Sequence, residues 1–383
     1  MKRLVIEFLE SRFVAFAFRT VFYLLSLFSF VNTAYGQKVP VMKKVESGNK
    51  IHIDFYSAYN NKAPVLYSSQ FVDDIEFIPL ETTDECLIGE SIRNIVITKS
   101  NIVIFDYEGC CRFDRKGKFL NKIGKKGNGP GEYTKPMSIV VDTLNSWGYF
   151  SDNWSGRFMK YDFEGNSLEE LKIDGMGSFN TLYKPFEFVI ESSFYQYAPK
   201  GERFSFMYYS EKNKKVISKM SCDYEKDIPK LALCFPISYM YSNNLYLKDF
   251  WCDTVYKMKD PFNLKSYAVI DKGHFEDRKY DHTALITGKE EARDRMVLDI
   301  SRMSETNRYI MICSNKGNLI YDKKKNNTFM GDFKENKWAV ENDLYGSPGI
   351  VGSSFLSCVN GNELYSYAHS FEFIKSLKNK HLF

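Results

Sequence analysis

The chain lacks the short motifs that mark most catalytic and metal sites. Its 383 residues include eight cysteines, yet none stands in Cys-x-x-Cys or Cys/His spacing of the zinc type. The five histidines, His52, His274, His282, His369 and His381, form neither a His-x-x-x-His nor a His-Glu-x-x-His pattern. There is no Gly-x-Ser-x-Gly elbow and no acidic loop of the EF-hand kind. Motif-encoded zinc, calcium and serine-hydrolase sites are thereby excluded, but acid–base pairs assembled from distant segments escape such a search. Charge of one sign is also missing. With 52 Lys and Arg against 48 Asp and Glu, the formal charge is only +4. Nucleic-acid binding depends on neutralising phosphates, so composition offers no case for it. No long hydrophobic run occurs either. The apolar stretch Val21–Val31 has 11 residues, whereas a spanning helix needs about 20.

That short run reads as part of an export signal. Lys2, Arg3, Arg12 and Arg19 precede it, and Ala34-Tyr35-Gly36 supplies small residues where a signal peptidase cuts. Cleavage before Gln37 is expected. Residues 1–36 are then a signal peptide, 37–70 a leader with a strand near Ile51–Phe55, and 71–383 the folded domain. The product is exported, periplasmic or secreted, with no membrane span once the signal is removed. No cysteine sits just after the apolar run, which argues against a lipid anchor. All eight cysteines fall after residue 36. Export permits disulfides, but a domain of this size needs none, and the spacing dictates no pairing. Cys110 and Cys111 are adjacent, so on a strand they point to opposite faces.

What the chain has in abundance is aromatic residues, 16% of the total, with 32 Phe and 26 Tyr. Such side chains suit the half-buried, pleated surface of a sheet. They also recur. Phe113-Asp114-Arg115-Lys116-Gly117 is followed 48 residues later by Tyr161-Asp162-Phe163-Glu164-Gly165, and after another 48 by Tyr209-Ser210. Tyr256 follows after 47 residues and Tyr321-Asp322 after 65. A period of roughly 40–50 residues with strand-like runs beside each turn marks a β-propeller.

The expected fold is all-β: a six-bladed β-propeller. Blade 1 covers Ile92–Thr98, Ile102–Asp106, Cys110–Asp114 and Lys118–Ile123. Blade 2 covers Met137–Asp142, Trp147–Ser151, Arg157–Asp162 and Ser167–Ile173. Blades 3 and 4 span Phe179–Ser221 and Ile237–Ile270. The 65-residue interval predicts a helical insertion in blade 5, over 288–307, because Ala292, Met296, Val297, Ile300 and Met303 fall at helical spacing. His282 would begin the inner strand of that blade. Blade 6 would comprise Ser353–Val359, Glu363–His369 and Phe371–Leu377. Its missing fourth strand would be Ile75–Leu80, an N-terminal strand closing the ring in the last blade.

Several of these segments resemble a known group. Ile78-Pro79-Leu80-Glu81-Thr82-Thr83, Leu87-Ile88-Gly89-Glu90, Gly117-Lys118-Phe119-Leu120 and Gly127-Asn128-Gly129-Pro130-Gly131-Glu132-Tyr133 resemble the secreted six-bladed β-propeller family common in Bacteroidetes, related to NHL-repeat propellers. The resemblance covers residues 71–173 strongly and the remainder in register. It implies six blades, export and a binding-scaffold role, and it transfers no catalytic residues.

The candidate ligand-binding residues are Asp106, Asp152, Asn153, Trp154, Arg157 and Trp251. In a propeller, the turn joining second to third strand and the connection entering each blade share one face, so these residues should surround one mouth of the channel. The glycine-rich stretch 124–133 belongs to the same mouth. Its backbone could cradle an anion, but the pattern is not that of a P-loop and a strand follows it, so a tight connection between blades is expected. Each aspartate could alternatively hold its own turn. The chain is thus expected to be a non-catalytic scaffold binding a glycan or a peptide or protein, without a cofactor. The alternative is a metal-dependent propeller lyase or hydrolase with its site in the central channel. A third possibility is a scaffold subunit whose helical insertion exposes Met296, Ile300 and Met303. Composition leaves the oligomeric state open.

Overall fold

A computed structural model describes residues 39–89, 92–152, 157–173, 178–192, 203–222, 236–275, 298–331, 340–341, 343, 356–359, 363–365 and 367. The signal segment, the proposed Phe371–Leu377 strand, His282, Met296, Asn153 and Trp154 lie outside these residues. The described part is nearly all sheet. Five four-stranded antiparallel blades follow one another in chain order. Blade 1 is Asn94–Ile97, Asn101–Phe105, Cys110–Asp114 and Phe119–Lys122. Blade 2 is Ser138–Asp142, Trp147–Asp152, Arg157–Asp162 and Ser167–Leu171, and blade 3 is Ser178–Lys184, Glu187–Glu191, Phe204–Ser210 and Lys215–Ser221. Blade 4 is Ile237–Tyr241, Asn244–Lys248, Thr254–Asp260 and Asn263–Asp271, and blade 5 is Ile300–Glu305, Tyr309–Ser314, Gly317–Asp322 and Asn327–Gly331. The first strand of each is innermost, and each innermost strand lies beside the next. A two-stranded sheet, Leu356–Val359 with Glu363–Tyr365, sits between blades 5 and 1.

The recurring aromatic–Asp pair has a physical cause. It ends the third strand of a blade, where the chain must reverse into the outer strand. The aspartate oxygen accepts backbone N–H groups across the turn: Asp114 from Lys116 (2.8 Å) and Lys118 (2.9 Å), Asp162 from Asn166 (2.7 Å), Asp260 from Phe262 (2.8 Å), and Asp322 from Lys324 (2.9 Å). Ser210 fills the same role weakly in blade 3. The preceding aromatics Phe113, Tyr161, Tyr209 and Tyr321 are buried between blades. Blade 4 departs from the expected register: its turn is at Asp260, Lys259 holds the aromatic position, and Tyr256 lies within the third strand.

Four apolar clusters join blades face to face, and two more seat the N-terminal segment and the last hairpin on blades 5 and 1. Phe105, Tyr133, Phe150 and Tyr161 fill the gap between blades 1 and 2. Tyr149, Phe158, Phe188 and Tyr209 fill the next, between blades 2 and 3. Each such side chain contributes roughly 2 kcal/mol or more by leaving water. Cys110 and Cys111 do point to opposite faces, one into the cluster shared with blade 2 and the other into the cluster under the leader. Two buried ion clusters pin neighbours together. Lys160 of blade 2 reaches Glu211 of blade 3 at 2.8 Å, with Tyr149 donating to the same carboxylate at 2.9 Å. Glu305 of blade 5 accepts from Tyr239 (3.1 Å) and Tyr267 (2.5 Å) of blade 4 and from Lys323 (2.7 Å). Removing one partner of such a buried set typically costs about 3–5 kcal/mol, because the remaining charge is stranded.

Three expectations are corrected. First, the described residues form five four-stranded blades, not six; among them, the sector between blades 5 and 1 holds a two-stranded sheet. Second, the supposed helix 288–307 is strand at its end. Ile300–Glu305 is the inner strand of blade 5, and a β-bulge between Ile300 and Arg302 inserts one extra residue. The bulge turns Ile300 and Met303 to the same side, into the blade 4–5 core. A three-residue spacing that imitates a helix is therefore a bulged strand, and these two residues are buried in the core instead of exposed. Third, Ile75–Leu80 forms no strand. Pro79 cannot donate to a ladder, and the segment crosses the outer turn of blade 1, where the Glu81 N–H donates to the Gly117 carbonyl at 2.8 Å. Ile78 and Leu80 pack on the blade 1 cluster, together with Tyr365 and Tyr367.

The leader is instead a belt around the rim. Pro40 and Met42 hydrogen-bond Lys219 on the outer strand of blade 3. Lys43–Val45 and Ile51–Asp54 then add in parallel to the outer strand of blade 4. A short helix, Phe55–Asn60, capped by Asp54, buries Phe55 and Ala58 at the blade 4–5 junction. The Pro64 carbonyl accepts from Met330 on blade 5. Leu66–Tyr67 pairs with Val340–Glu341, and Asp343 caps the following turn, Ser68–Phe71, through Ser68 Oγ (2.7 Å), Ser69 N–H (2.9 Å) and Ser69 Oγ (2.6 Å). The belt thus touches blades 3, 4, 5 and 1 in succession.

Two outcomes follow for the belt. Gly117 has φ 85°, and a Cβ there would fall on the Pro79 carbonyl oxygen, so Gly117→Ala should lower stability by about 2–3 kcal/mol in urea denaturation. The Ser69 and Ser68 donors hold the Asp343 carboxyl down to about 2. A carboxyl depressed on folding stabilises above its unfolded pKa and loses that contribution as pH falls through the folded value. The protection of residues 66–71 relative to intrinsic amide exchange should therefore fall between about pH 4 and pH 2, and Asp343→Asn should remove most of that dependence.

Candidate functional site

Four of the expected residues, Asp106, Asp152, Arg157 and Trp251, are described, in or beside the turns between second and third strands. Two of them are committed to the backbone. Asp106 follows the second strand of blade 1 and is buried; its carboxylate accepts from Gly89 (2.6 Å), Glu108 (2.7 Å) and Gly109 (2.9 Å) N–H groups. Asp152, fully buried in blade 2, accepts from the Thr134 N–H (2.7 Å), its hydroxyl (2.5 Å) and the Lys135 N–H (3.3 Å). Asn315 does the same in blade 5, accepting from Asp299 at 2.8 Å. A polar side chain at this recurring position therefore ties the segment entering a blade to that blade's own middle turn. The counterpart in blade 4 is Asp249. It accepts the Trp251 N–H at 2.8 Å, and burial pushes its carboxyl above the ordinary range against that hydrogen bond.

Arg157 lies beside Glu170 (3.0 Å) and donates to the Glu132 carbonyl (3.0 Å), bracing the outer edge of blade 2. Trp251 is buried and packs edge-on against Phe250, 4.9 Å between ring centres. The glycine-rich stretch cradles an anion after all, but its own. Glu132 accepts the Gly129 N–H at 2.9 Å and pairs with Lys125 at 2.9 Å, and Lys125 first, then Gly129, holds its carboxyl below the usual range. The loop ends at Tyr133, buried and stacked on Phe150 at 5.5 Å. A connection between blades, not a phosphate loop, is the result.

Residues that spacing did not reveal form the open part of this face. Tyr107, next to Asp106, is 39% exposed. Arg93, at the entrance to the blade 1 inner strand, stacks over its ring at 4.0 Å and donates to its hydroxyl. Arg93 also donates to the Met137 carbonyl at the entrance to blade 2 (3.1 Å). The exposed Lys135 lies 5.6 Å from the same ring. An aromatic plate flanked by two cations results, built from three different connections. Among the described residues no group of three His, Cys, Asp or Glu side chains is placed to hold a metal ion. No described helix is long and apolar enough to cross a membrane.

Radial antiparallel blades with a turn-lined mouth define a β-propeller. Within that class, the chain belongs to the family described as Domain of unknown function (DUF4934), whose model matches residues 50–382. Its fold is similar to that of a candidate exported protein from Bacteroides fragilis, at 16% identity and TM-score 0.62, covering 89% of this chain and 93% of that one. A DUF4221 family member from Bacteroides vulgatus matches at 9% identity and TM-score 0.48, over 67% and 82% of the two chains. The extracellular domain of a candidate hybrid two-component system from B. thetaiotaomicron matches at 9% identity and TM-score 0.40, over 65% of this chain and 29% of that one. No curated protein matches the sequence. At these identities the likeness shows the fold alone.

If Asp152 is a tie between segments, Asp152→Ala should destabilise the protein by roughly 2–4 kcal/mol, since it strands buried donors. Tyr107→Ala, at an exposed plate, should change stability by less than about 1 kcal/mol. Thermal unfolding of the two variants checks both.

Proposed function

We propose that the protein is an exported, non-catalytic scaffold that binds a polymer, a glycan or an extended peptide, at the mouth around Tyr107. The observation that carries this is the Arg93–Tyr107–Lys135 arrangement: an exposed ring held rigid by stacked cations suits a sugar face or a planar peptide group, and the cations suit an acidic substituent. Asp106 and Asp152 support the platform from beneath, and Arg157 braces the neighbouring edge of blade 2; Asn153, Trp154 and Trp251 are retained in the proposal on their sequence positions alone. The three hydrogen bonds that each of Asp106 and Asp152 accepts from its own framework favour a binding role for this mouth over an acid–base one. Export is supported by the basic, apolar and small-residue order of residues 1–36 and by the similarity to a candidate exported protein. A glycan and peptide array probed with the full chain tests this: Tyr107→Ala and Arg93→Ala should each lower binding about tenfold, the scale of one lost stacking contact of about 1.4 kcal/mol, with unchanged melting. Undiminished binding by both variants overturns the proposal.

A further inference from the structure

The opposite face carries a charge pattern that the mouth does not explain. It consists of the turns from inner to second strand and from third to outer strand. Tyr241 donates to Asn307 at 3.1 Å, joining two such turns of blades 4 and 5. Trp147 and Phe186, 5.7 Å apart, join those of blades 2 and 3. The turns therefore share one surface. Lys116 and Lys118 stand exposed on it from blade 1, Lys212 and Lys215 from blade 3, and Lys324 and Lys325 from blade 5.

Nearby acids are already engaged. Asp114 and Asp322 cap their turns, Asp322 also holds Arg308 at 2.7 Å, and Glu211 is buried against Lys160. Glu164 pairs with Arg112 at 3.5 Å. Asp114 still offsets part of the charge of Lys116 and Lys118, but in the outer turns of blades 1, 3 and 5 the lysines outnumber the single acid of each turn, Asp114, Glu211 and Asp322.

Between the basic turns stand two apolar tips. Leu144, 80% exposed, is on the inner turn of blade 2, and Phe262, 45% exposed, is on the outer turn of blade 4. Around the ring the order is lysines, leucine, lysines, phenylalanine, lysines. A soluble polyanion needs the cations only. Apolar tips set between cations fit a surface with phosphates above and hydrocarbon just below. We propose that this face docks the protein peripherally on a bilayer bearing anionic phosphate headgroups, leaving the Tyr107 mouth pointing away from it.

Co-sedimentation of the full chain with phosphatidylcholine vesicles, with and without phosphatidylglycerol, tests the proposal. Binding should require the anionic lipid and weaken as salt rises. A lysine near such a surface contributes about fivefold in affinity, so Lys324→Glu with Lys325→Glu should weaken binding at least about thirtyfold. Leu144→Ser with Phe262→Ser should weaken vesicle binding severalfold while leaving retention on immobilised polyphosphate intact. Tyr107→Ala should leave vesicle binding unchanged, which separates this surface from the polymer site. Equal binding to both vesicle types, or indifference to the charge reversals, overturns the proposal. So does loss of vesicle and polyphosphate binding together on charge reversal with no effect of the apolar substitutions, which would make the occupant a soluble polyanion.

Discussion

Everything in this fold depends on blades covering one another. A four-stranded fan has two apolar faces and cannot bury either alone, so each must lie against a neighbour, and the large aromatics set the spacing between them. Tyr133 on Phe150, Tyr149 on Phe188 and Tyr239 on Tyr246 are the wedges that fill the widening gaps. A row of fans built this way ends in two uncovered faces unless it returns on itself. Here the return is made where Tyr365 and Tyr367 join the blade 1 cluster and Leu364 joins that of blade 5.

The belt answers the same constraint from outside. Parallel pairing of Lys43–Val45 and Ile51–Asp54 with blade 4, and the Glu81–Gly117 contact on blade 1, join segments that are far apart along the chain. Splaying of the blades must break these contacts as well as the aromatic clusters. The outermost strand of blade 4 also has its edge covered, which removes a template for intermolecular pairing.

Turns are where such a scaffold is free to vary, and the two faces use that freedom differently. On one, a recurring Asp or Asn ties the entering segment down in blades 1, 2 and 5, and the exposed chemistry includes Tyr107 and Lys135 beside Arg93. On the other, the Asp of the outer turn in blades 1, 2, 4 and 5 is consumed by the turn itself, and the next residues, often lysines, project outward. Aspartate is thus mostly architectural on both faces, and lysines with a few apolar groups are prominent among the exposed side chains.

The repeat of aromatic and aspartate was legible because local chemistry causes it: a hairpin needs its turn capped, and a penultimate aromatic fits the gap beside it. All-β class, blade order and most strand positions followed from that period, as did the glycine-rich stretch being a connection. The bulged strand Ile300–Glu305 was misread because one extra residue converts a period of two into a spacing of three. The belt was misplaced because Ile75–Leu80 has the alternation of a strand, and nothing within it tells which partner supplies the ladder. Of the candidate site, Asp106 and Asp152 were found by their equivalent positions, but their service to backbone donors depends on segments 17 or 18 residues away. The Arg93–Tyr107–Lys135 plate left no spacing at all, since its members come from three connections that meet only when two blades pack. Residue order thus determined the repeating unit, whose bonds are local. The tertiary structure decided which units touch, what closes them and which side chains remain open, because those contacts join residues that only the ring brings together.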